Sequence, residues 1–338
     1  MADKGDTAAR IQGAIWGMFI GDALAMPVHW YYQRDALIRD YGRVTRYLAP
    51  KNPHPDSILW RSAYSPVNDR GDILHDQQQY WGQAGIHYHQ FLRAGENTLN
   101  LQLANLLTDS LNANHGYDPD AYLDAYIHFM TTPGTHRDTY VEEYHRHFFT
   151  HYARGTAPNK CGTLEKHISG LIGMIPIAAY YASDPDQARQ LAMAHLRLTH
   201  LGELMESAGN LLLDLLLPVF GGAPLADTIL QKLKRQDNPL LGHPLVRWLD
   251  DPDEVVIGRR LSTACYVQDA VPAVVYLALK YVDDAAQGLV INTNLGGDNA
   301  GRGAVLGAVL GAANGFHTFP DEWVSGLLVS PSQLLNNI

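Results

Sequence analysis

Two Gly-Asp pairs, one near each end of the chain, supply carboxylates at positions where they could do chemistry. Gly21-Asp22 lies near the end of the first predicted helix, and Gly297-Asp298 comes just before the last long one. Carboxylates act as general acids or bases, and they hold hard cations such as Mg²⁺ through their oxygen atoms. If the two helices pack antiparallel, both aspartates lie at the same end of the helix pair. A single polar site would then be built from opposite ends of the chain.

Rows of glycine at every fourth position predict that these two helices pack closely. The first helix carries Gly13, Gly17 and Gly21, and the last carries Gly303, Gly307, Gly311 and Gly315. Each interior glycine costs about 1 kcal/mol of helix propensity relative to alanine, so the rows need a compensating cause. Because residues four apart share one helix face, a row of glycines lets a second backbone approach. Core packing alone explains the rows, and the adjoining Gly-Asp pairs add a functional interpretation.

Most of the chain has the hydrophobic period of an α-helix, and very little of it alternates as a strand does. The predicted helices are 7–26, 98–113, 118–131, 168–181, 185–198, 204–220, 226–234, 262–281 and 302–314. The polar, aperiodic segment 43–89 is predicted to be a long loop with room for one short helix, and such loops often carry function. We therefore predict one all-α domain over residues 1–338, with a core from about 9 to 325.

Composition excludes several classes of protein. Hydrophobic residues make up 46% of the chain and charged residues 18%, so a large core can form and intrinsic disorder is excluded. The net charge of −10 argues against a nucleic-acid-binding surface. Cys161 and Cys265 are too few for a disulfide framework, and neither lies in an obvious nucleophile context. Without a signal-peptide pattern or an apolar run of roughly 20 residues, the protein is expected to be cytoplasmic and not to bind membranes.

Three segments carry a resemblance to a known family. They are Gly17–His29, Ala94–Leu101 and Asn294–Gly303. In this order and spacing they resemble the ADP-ribosylglycohydrolase family. Looser matches are the segment from Ser169-Gly170 to Pro176-Ile177, the tripeptide Leu198-Thr199-His200 and the segment Pro320–Trp323. The resemblance covers the predicted core, and it implies one compact, orthogonal, multi-helix all-α domain.

The resemblance also implies a chemistry, in which two Mg²⁺ ions held by carboxylates and threonine hydroxyls help to remove ADP-ribose from an acceptor. This sequence departs from the family at each metal motif. His29 stands where the family has Glu, Gly95-Glu96-Asn97-Thr98 where it has Thr-Asp-Asp-Thr, and Asp298-Asn299-Ala300-Gly301 where it has Asp-Thr-Asp-Thr. Too few carboxylates remain to balance two Mg²⁺ ions, so we expect no cofactor. A single Mg²⁺ held by Glu96, Asn97 and Asp298 is the alternative.

The resemblance implies a polar centre of Glu96, His29 and Asp298, which we predict to be catalytic. Carboxylates flanking a glycosidic bond cleave glycosides, and histidine can shuttle a proton near neutral pH. The predicted ligand contacts are Asp22, Asn97, Thr98, Ser169, Gly170, His200, Gly297, Asn299 and Arg302. Arg302, in the first turn of a helix, could meet a phosphate. Alternatively, Asp298 or Asn299 only caps that helix, and Arg302 pairs with a core carboxylate.

Aromatic and histidine side chains flank two of these motifs. Trp30-Tyr31-Tyr32 follow His29, and Tyr80-Trp81 and Tyr88 precede Glu96. Such rings could stack on a nucleobase, and core packing beneath the long loop is the alternative. The histidines that lead into the second motif, His87 and His89, have a claim to the site. The others considered, which we interpret as solvated helix surface, are His145, His147 and His151.

The sequence therefore predicts a hydrolase that cleaves an N- or O-glycosidic bond of an ADP-ribosyl or related nucleoside compound. Its ligand would be a small molecule or an ADP-ribose unit linked to a protein. The rival interpretation is a non-catalytic relative, a binding or crystallin-like structural protein that keeps the cleft. The acceptor group and the oligomeric state are left open.

Overall fold

The fold is built from α-helices, as the hydrophobic period predicts, and a computed structural model describes residues 4–329. The α-helices are α1 (Lys4–Ala25), α2 (Arg34–Tyr41), α3 (Leu99–Ala113), α4 (Pro119–Thr131), α5 (Glu143–Ala153), α6 (Met174–Tyr180), α7 (Pro185–Leu196), α8 (Glu203–Phe220), α9 (Leu225–Arg235), α10 (Asp253–Val255), α11 (Val267–Lys280), α12 (Ala285–Leu295), α13 (Asn299–Asn314) and α14 (Asp321–Gly326). In the described chain, strands are limited to β1 (Thr163–Leu164) and β2 (His200–Leu201), which pair in parallel. The helices surround one continuous core, so the prediction of a single compact all-α domain is confirmed. Its predicted outer limits, 1–3 and 330–338, lie outside the described residues.

Helices α1 and α13 pack antiparallel through the two rows of glycine. A Cβ atom on Gly17 would lie 2.0 Å from the Gly307 carbonyl oxygen, and Gly13 and Gly21 face Gly311 and Gly303 in the same way. No side chain larger than hydrogen fits at that separation. The predicted close approach is confirmed, and it brings the Gly21-Asp22 and Gly297-Asp298 pairs to one end of the helix pair.

The segment between α2 and α3 is the long loop that the sequence predicts. It holds 3₁₀ turns at Leu59–Arg61, Asp69–Gly71 and His75–Tyr80 in place of one short helix. Further 3₁₀ turns lie at Met26–Val28, Pro158–Lys160, Ile168–Leu171, Pro239–Leu241, Leu245–Trp248 and Phe316–Thr318, and a kinked turn spans Val256–Arg260. The loop packs its own small cluster of Trp30, Leu59 and Tyr88 beside the main core. It therefore forms one wall of the region to which His29 and Asp298 belong.

The first helix is more apolar than the sequence reading allowed. The segment Asp6–Val28 is long and apolar enough to cross a membrane, which corrects the expectation that every apolar run is too short. However, 89% of its most apolar window is buried inside the protein. Packing against α13 explains the composition, because a helix buried on all sides needs apolar residues all round.

Candidate active site

Four buried side chains form a continuous chain of hydrogen bonds at the end of the α1–α13 pair. His29 Nε2 lies 2.8 Å from Asp298 Oδ1, and His29 Nδ1 lies 2.8 Å from His89 Nε2. The other ring nitrogen of His89 bonds to Asp138 in the segment between α4 and α5. None of the four residues is more than 4% exposed. The predicted pair of His29 and Asp298 is therefore in direct contact, and His89 joins it.

The hydrogen bonds of this chain assign its protons. Burial lowers the pKa of His29, which keeps that ring neutral, with Nε2–H donating to Asp298 and Nδ1 accepting. His89 Nε2 then donates to His29 Nδ1, and its other ring nitrogen pairs with Asp138.

Asp298 is held as a carboxylate with one oxygen left over. Its Oδ1 accepts hydrogen bonds from His29 and, at 3.2 Å, from the backbone N–H of Gly301, so Asp298 also caps α13. Burial raises its pKa, but the His29 hydrogen bond and the positive charge of Arg302 outweigh burial and hold it below its usual range. Among the described residues, no group donates a hydrogen bond to Oδ2. That oxygen is available to a water molecule or a ligand.

A second carboxyl group, Glu142, lies near Asp298, and the sequence reading missed it. Its Oε1 accepts from Asn100 Nδ2 at 2.6 Å and its Oε2 from Ser169 Oγ at 3.0 Å. Burial raises its pKa, and the negative charge of Asp298 adds to the rise. The pKa values of the two carboxyl groups are therefore shifted in opposite directions. No sequence signal identifies Glu142, because it precedes a polar helix and looks like a solvated helix start.

Glu142 lies where a wide cavity, a narrow gap and a smaller cavity come together. The wide cavity has a volume of about 280 Å³. It is lined by Trp30, Tyr32, Ile58, Arg61, Tyr88, Tyr140, Glu142, Glu143, His167, Cys265 and Tyr266. The gap lies between Glu142 and the histidine pair His29 and His89. Ser169, which bonds to Glu142, lines a smaller cavity of about 40 Å³. His200 lines the same cavity.

The predicted aromatic residues divide between the wide cavity and the core. Trp30, Tyr32 and Tyr88 line the cavity, and Tyr140, which the sequence reading did not single out, joins them. Of the others, Tyr31 packs in the main core, Trp81 stacks on Tyr140 and Tyr80 packs against Phe91. The two interpretations offered by the sequence each hold for part of the set.

Glu96 is not brought to the polar centre, which corrects the predicted catalytic set. Its carboxylate pairs with Arg93 at 3.5 Å and with Arg137. In the described chain it makes no contact with His29 or Asp298. Glu96 lies in the loop just before α3 with its carboxylate directed to exposed arginines, and Glu142 is the glutamate on which the charge of Asp298 acts.

Asp22, Asn97 and Thr98 form a closed cluster that ties α1 to the start of α3. Asp22 Oδ1 accepts from Thr98 Oγ1 at 2.7 Å, and Oδ2 accepts from Thr98 N at 2.9 Å and Asn97 Nδ2 at 2.8 Å. Burial raises the pKa of Asp22 to about 6 despite these bonds. Asp22 is 1% exposed and both of its carboxylate oxygens are used within the protein, so its predicted ligand contact is corrected to a structural role. Asn97 Oδ1, by contrast, has no hydrogen-bond partner among the described residues. Thr98 also borders the narrow gap.

Arg302 does not reach a ligand surface. It is 0% exposed, and its Nε and Nη2 donate to Asn292 Oδ1 at 2.7 Å and the Gly296 carbonyl at 2.9 Å. The predicted phosphate contact is therefore wrong, and so is the alternative of a direct pair with a core carboxylate. Arg302 closes the carboxyl end of α12 and lends its charge to Asp298.

Gly297 and Asn299 shape the turn that presents Asp298. Gly297 has φ +66, and its N–H donates to the Tyr31 carbonyl at 2.7 Å. A Cβ atom added at this position would lie 2.0 Å from the Thr263 carbonyl oxygen. Asn299 is buried and donates from Nδ2 to the Thr293 carbonyl at 2.8 Å. Neither residue is directed to the wide cavity, and Asp298, not Asn299, is the cap of α13.

Ser169, Gly170 and His200 lie together in the smaller cavity, as their joint prediction requires. A Cβ atom on Gly170 would lie 2.7 Å from the His200 ring, so only glycine lets the ring fit. His200 Nδ1 pairs with Thr199 Oγ1 at 2.8 Å, and burial lowers the pKa of His200 to about 3. Within the described residues its Nε2 has no hydrogen-bond partner. A neutral ring with a free nitrogen therefore faces this cavity.

The structure places three of the histidines considered in the sequence in different surroundings. His145 is buried and bonds to the Tyr126 hydroxyl at 2.6 Å, so its interpretation as solvated surface is wrong. His147 is half exposed, as predicted for that helix face. His87 is buried and pairs with the Pro27 carbonyl at 3.0 Å, so it supports the turn before His29.

The side chains at the three metal motifs make contacts within the protein. Mg²⁺ requires oxygen ligands in near-octahedral geometry. Asp298 faces the N–H of His29, Asn97 presents its amide nitrogen to Asp22 and the Phe19 carbonyl, and Glu96 pairs with arginines. Among residues 4–329 no group of three or more His, Cys, Asp or Glu side chains could hold a metal ion.

Comparison with known proteins agrees with this architecture. The family model described as ADP-ribosylglycohydrolase matches residues 3–336, nearly the whole chain. The chain therefore belongs to the ADP-ribosylglycohydrolase family, which supports a glycohydrolase-like function in general. A solved structure described as an "ADP-ribosylglycohydrolase-related protein complex" is similar in fold, with a TM-score of 0.67 and 21% identity over 98% of this chain and 96% of that chain. Among the curated proteins, none matches.

Proposed function

We propose that the protein hydrolyses an N- or O-glycosidic bond of an ADP-ribosyl or related nucleoside compound, in the cytoplasm and without a divalent cation. The observation that carries this proposal is Glu142, which lines the wide cavity with a raised pKa, together with the buried Asp298, whose charge acts on Glu142 and whose own pKa is lowered. One protonated and one ionised carboxyl group at the same pH are the pair that glycoside cleavage needs. Family membership supports the reaction class.

Glu142 is the general acid in this proposal. Because its pKa is raised, it keeps a proton to higher pH than an ordinary glutamate does and can deliver it to the leaving nitrogen or oxygen. Its hydrogen bonds to Asn100 and Ser169 fix the carboxyl group in one orientation. Protonation of the leaving group lowers the barrier to breaking the bond at the anomeric carbon of the ribose.

Asp298 supplies the negative charge. Its free Oδ2 orients the attacking water and stabilises the positive charge that develops on the ribose ring. His29 holds Oδ1 in place, and the bond from His89 fixes the tautomer in which His29 donates to Asp298. His29 is thus a positioning residue.

The cavities supply surfaces for the rest of the ligand. Trp30, Tyr88 and Tyr140 present ring faces and edges that suit a nucleobase, since stacking contributes about 1–3 kcal/mol per base. Arg61 is a cation at the edge of the same cavity and suits a phosphate group, in place of the buried Arg302. The free nitrogen of His200 suits a ribose hydroxyl reached through the smaller cavity.

Turnover by Glu142→Gln and Asp298→Asn tests the proposal. The substrates are peptides ADP-ribosylated on arginine or on serine, and the readout is released ADP-ribose. We expect each substitution to lower kcat about 10²–10⁴-fold while ADP-ribose still raises the Tm. Glu206→Gln is the matched control, because Glu206 pairs with Arg197 at 2.8 Å and lines none of these three cavities. If Glu142→Gln turned over at the wild-type rate, the assignment of Glu142 as the general acid would be contradicted.

The rival interpretation, a non-catalytic relative, predicts different outcomes. A non-catalytic relative binds ADP-ribose, shown by a rise in Tm, and releases none from either peptide with or without Mg²⁺. Release that depends on added Mg²⁺ and is abolished by a chelator would contradict the metal-free part of the proposal while leaving the reaction class in place.

A further inference from the structure

Cys265 and His167 lie side by side at the wall of the wide cavity, outside the carboxyl pair. The segments that carry them are held together by an antiparallel bridge between His167 and Tyr266. Ile168 N donates to the Cys265 carbonyl at 2.8 Å, and Val267 N donates to the Lys166 carbonyl at 2.8 Å. Cys265 and His167 both line the cavity, and the His167 imidazole lowers the pKa of the Cys265 thiol. This backbone pairing fixes the thiol against the imidazole.

A carboxylate completes the cluster. Glu165 Oε2 lies 2.9 Å from His167 Nδ1, and His167 is only 9% exposed. Burial lowers the pKa of His167, but its contacts with Cys265 and Glu165 and the charge of Glu142 outweigh burial and raise it. His167 is therefore an imidazolium near neutral pH. A cation that touches a thiol stabilises the thiolate, which is the reactive form of cysteine.

The charges around Cys265 set the balance. Burial raises the pKa of the Cys265 thiol and His167 lowers it, while the negative charges of Asp298 and Glu142 raise it further, so that the pKa is raised overall. Its reactivity thus depends on one neighbour, His167. By contrast, Cys161 is 0% exposed and contacts only backbone carbonyl groups, those of Thr156 and Ala157. The chain therefore offers its own unreactive control.

We propose that Cys265 is a thiol-modification site, at which a low-molecular-weight disulfide entering the wide cavity exchanges with the thiol. The Cys265 sulfur, freed of its proton beside His167, attacks one sulfur of the disulfide. A new S–S bond forms, the old one breaks, and the leaving thiolate takes up a proton. The products are a mixed disulfide on Cys265 and one free thiol, so no other oxidant or reductant is consumed.

The adduct has a consequence that rests on the proposed function. A group attached to Cys265 occupies the cavity that also carries Trp30, Tyr88 and Glu142. Because a nucleoside ligand needs the same space, the modified protein loses that ligand. Reduction of the mixed disulfide restores binding.

Mass spectrometry of the native, full-length chain tests the site itself without any measurement of turnover. After incubation with oxidised glutathione, we expect one glutathione adduct per chain, mapped to Cys265. Cys161→Ser should form the adduct at the wild-type rate, and Cys265→Ser should form none. An adduct mapped to Cys161, or no adduct on the folded protein, would overturn the proposal.

The role of His167 is tested by rates. We expect His167→Gln to slow adduct formation on Cys265 at least about tenfold at neutral pH, since it removes the stabilising charge. Glu165→Gln should slow adduct formation less, and it leaves Cys265 and His167 unchanged. This variant replaces His167→Gln in the test if circular dichroism shows that His167→Gln does not fold. Wild-type rates in both variants would contradict the role of the imidazolium.

Ligand binding separates this inference from the proposed function. If ADP-ribose raises the Tm of the wild type and of Cys265→Ser but not of the glutathione adduct, the blocking consequence holds. An adduct that binds ADP-ribose as well as the wild type does would overturn the blocking, while the modification site would stand. Failure of the carboxyl variants to alter turnover would overturn the proposed function and leave the adduct mapping unaffected.

Discussion

Asp22 and Asp298 both follow a glycine and lie at the same end of the α1–α13 pair, yet their surroundings are opposite. Asp22 accepts hydrogen bonds on both oxygens, from Thr98 and Asn97. Asp298 accepts on one oxygen, from His29 and the N–H of Gly301, and in the described chain its other oxygen has no donor. The same dipeptide thus makes a structural tie in one place and a free carboxylate in the other. The number of donors around each group decides which.

The charge of the neighbours separates the two aspartates further. Burial raises the pKa of Asp22 to about 6, because the groups around it are neutral donors. For Asp298, a buried histidine donor and the charge of Arg302 reverse the effect of burial, and the pKa falls. Burial alone therefore does not predict whether a carboxyl group is ionised. The sign of nearby charge decides it.

The largest expected effect comes from breaking the helix pair that brings the two aspartates together. In Gly307→Ala the new Cβ atom would lie 2.0 Å from the Gly17 carbonyl oxygen, so a backbone must move. We expect the free energy of unfolding to fall by more than about 3 kcal/mol, measured by urea denaturation. Gly242→Ala is the control, since a Cβ atom there meets nothing within 4 Å and the position has φ −70. Equal stability of the two variants would contradict the packing argument.

Removal of the Asp22 charge should change the pH dependence of stability. Its folded pKa of about 6 lies above the ordinary aspartate value of 3.8, so the folded protein binds more protons between these values. Stability from this group is present at low pH and is lost as pH rises, by about 3 kcal/mol between pH 4 and 7. The advantage of the wild type over Asp22→Asn should shrink by up to that amount. Urea denaturation at several pH values measures it, and a constant advantage would contradict the raised pKa.

The same experiment on Asp298 should give the opposite sign. Its folded pKa is lowered, so its contribution to stability is present above the unfolded pKa and is lost as pH falls. The advantage of the wild type over Asp298→Asn should therefore grow with pH, over a lower pH range than for Asp22. Equal slopes for the two variants would show that the two sites do not differ in charge.

Sequence reasoning predicts the parts of this molecule that follow a regular spacing. The glycine rows that contain Gly17 and Gly307 predicted the close helix pair, because residues four apart lie on one face of a helix. The contact of His29 with Asp298 followed from that pairing and from the family motifs. The grouping of Ser169 with His200 also followed from those motifs.

The rest depends on contacts made across long stretches of chain. Glu142 stands before a polar helix, and only the fold shows that Asn100 and Ser169 surround its carboxyl group. Arg302 sits at a helix N-terminus, where a sequence suggests an anion site, but the end of α12 covers it. Side-chain direction and burial at such positions are set by distant segments, which a local pattern does not encode.

The smallest expected effect belongs to Glu96, the glutamate that sequence motifs favour over Glu142. Its partners Arg93 and Arg137 have side chains 69% and 45% exposed, and exposed ion pairs contribute about 0–1 kcal/mol. Glu96→Gln should therefore lower the free energy of unfolding by less than about 1 kcal/mol and leave kcat unchanged in the peptide assay. A loss of kcat as large as that of Asp298→Asn would return Glu96 to the reacting centre. It would then follow that the loop before α3 turns inward when ligand binds, with Glu142 left as a positioning residue.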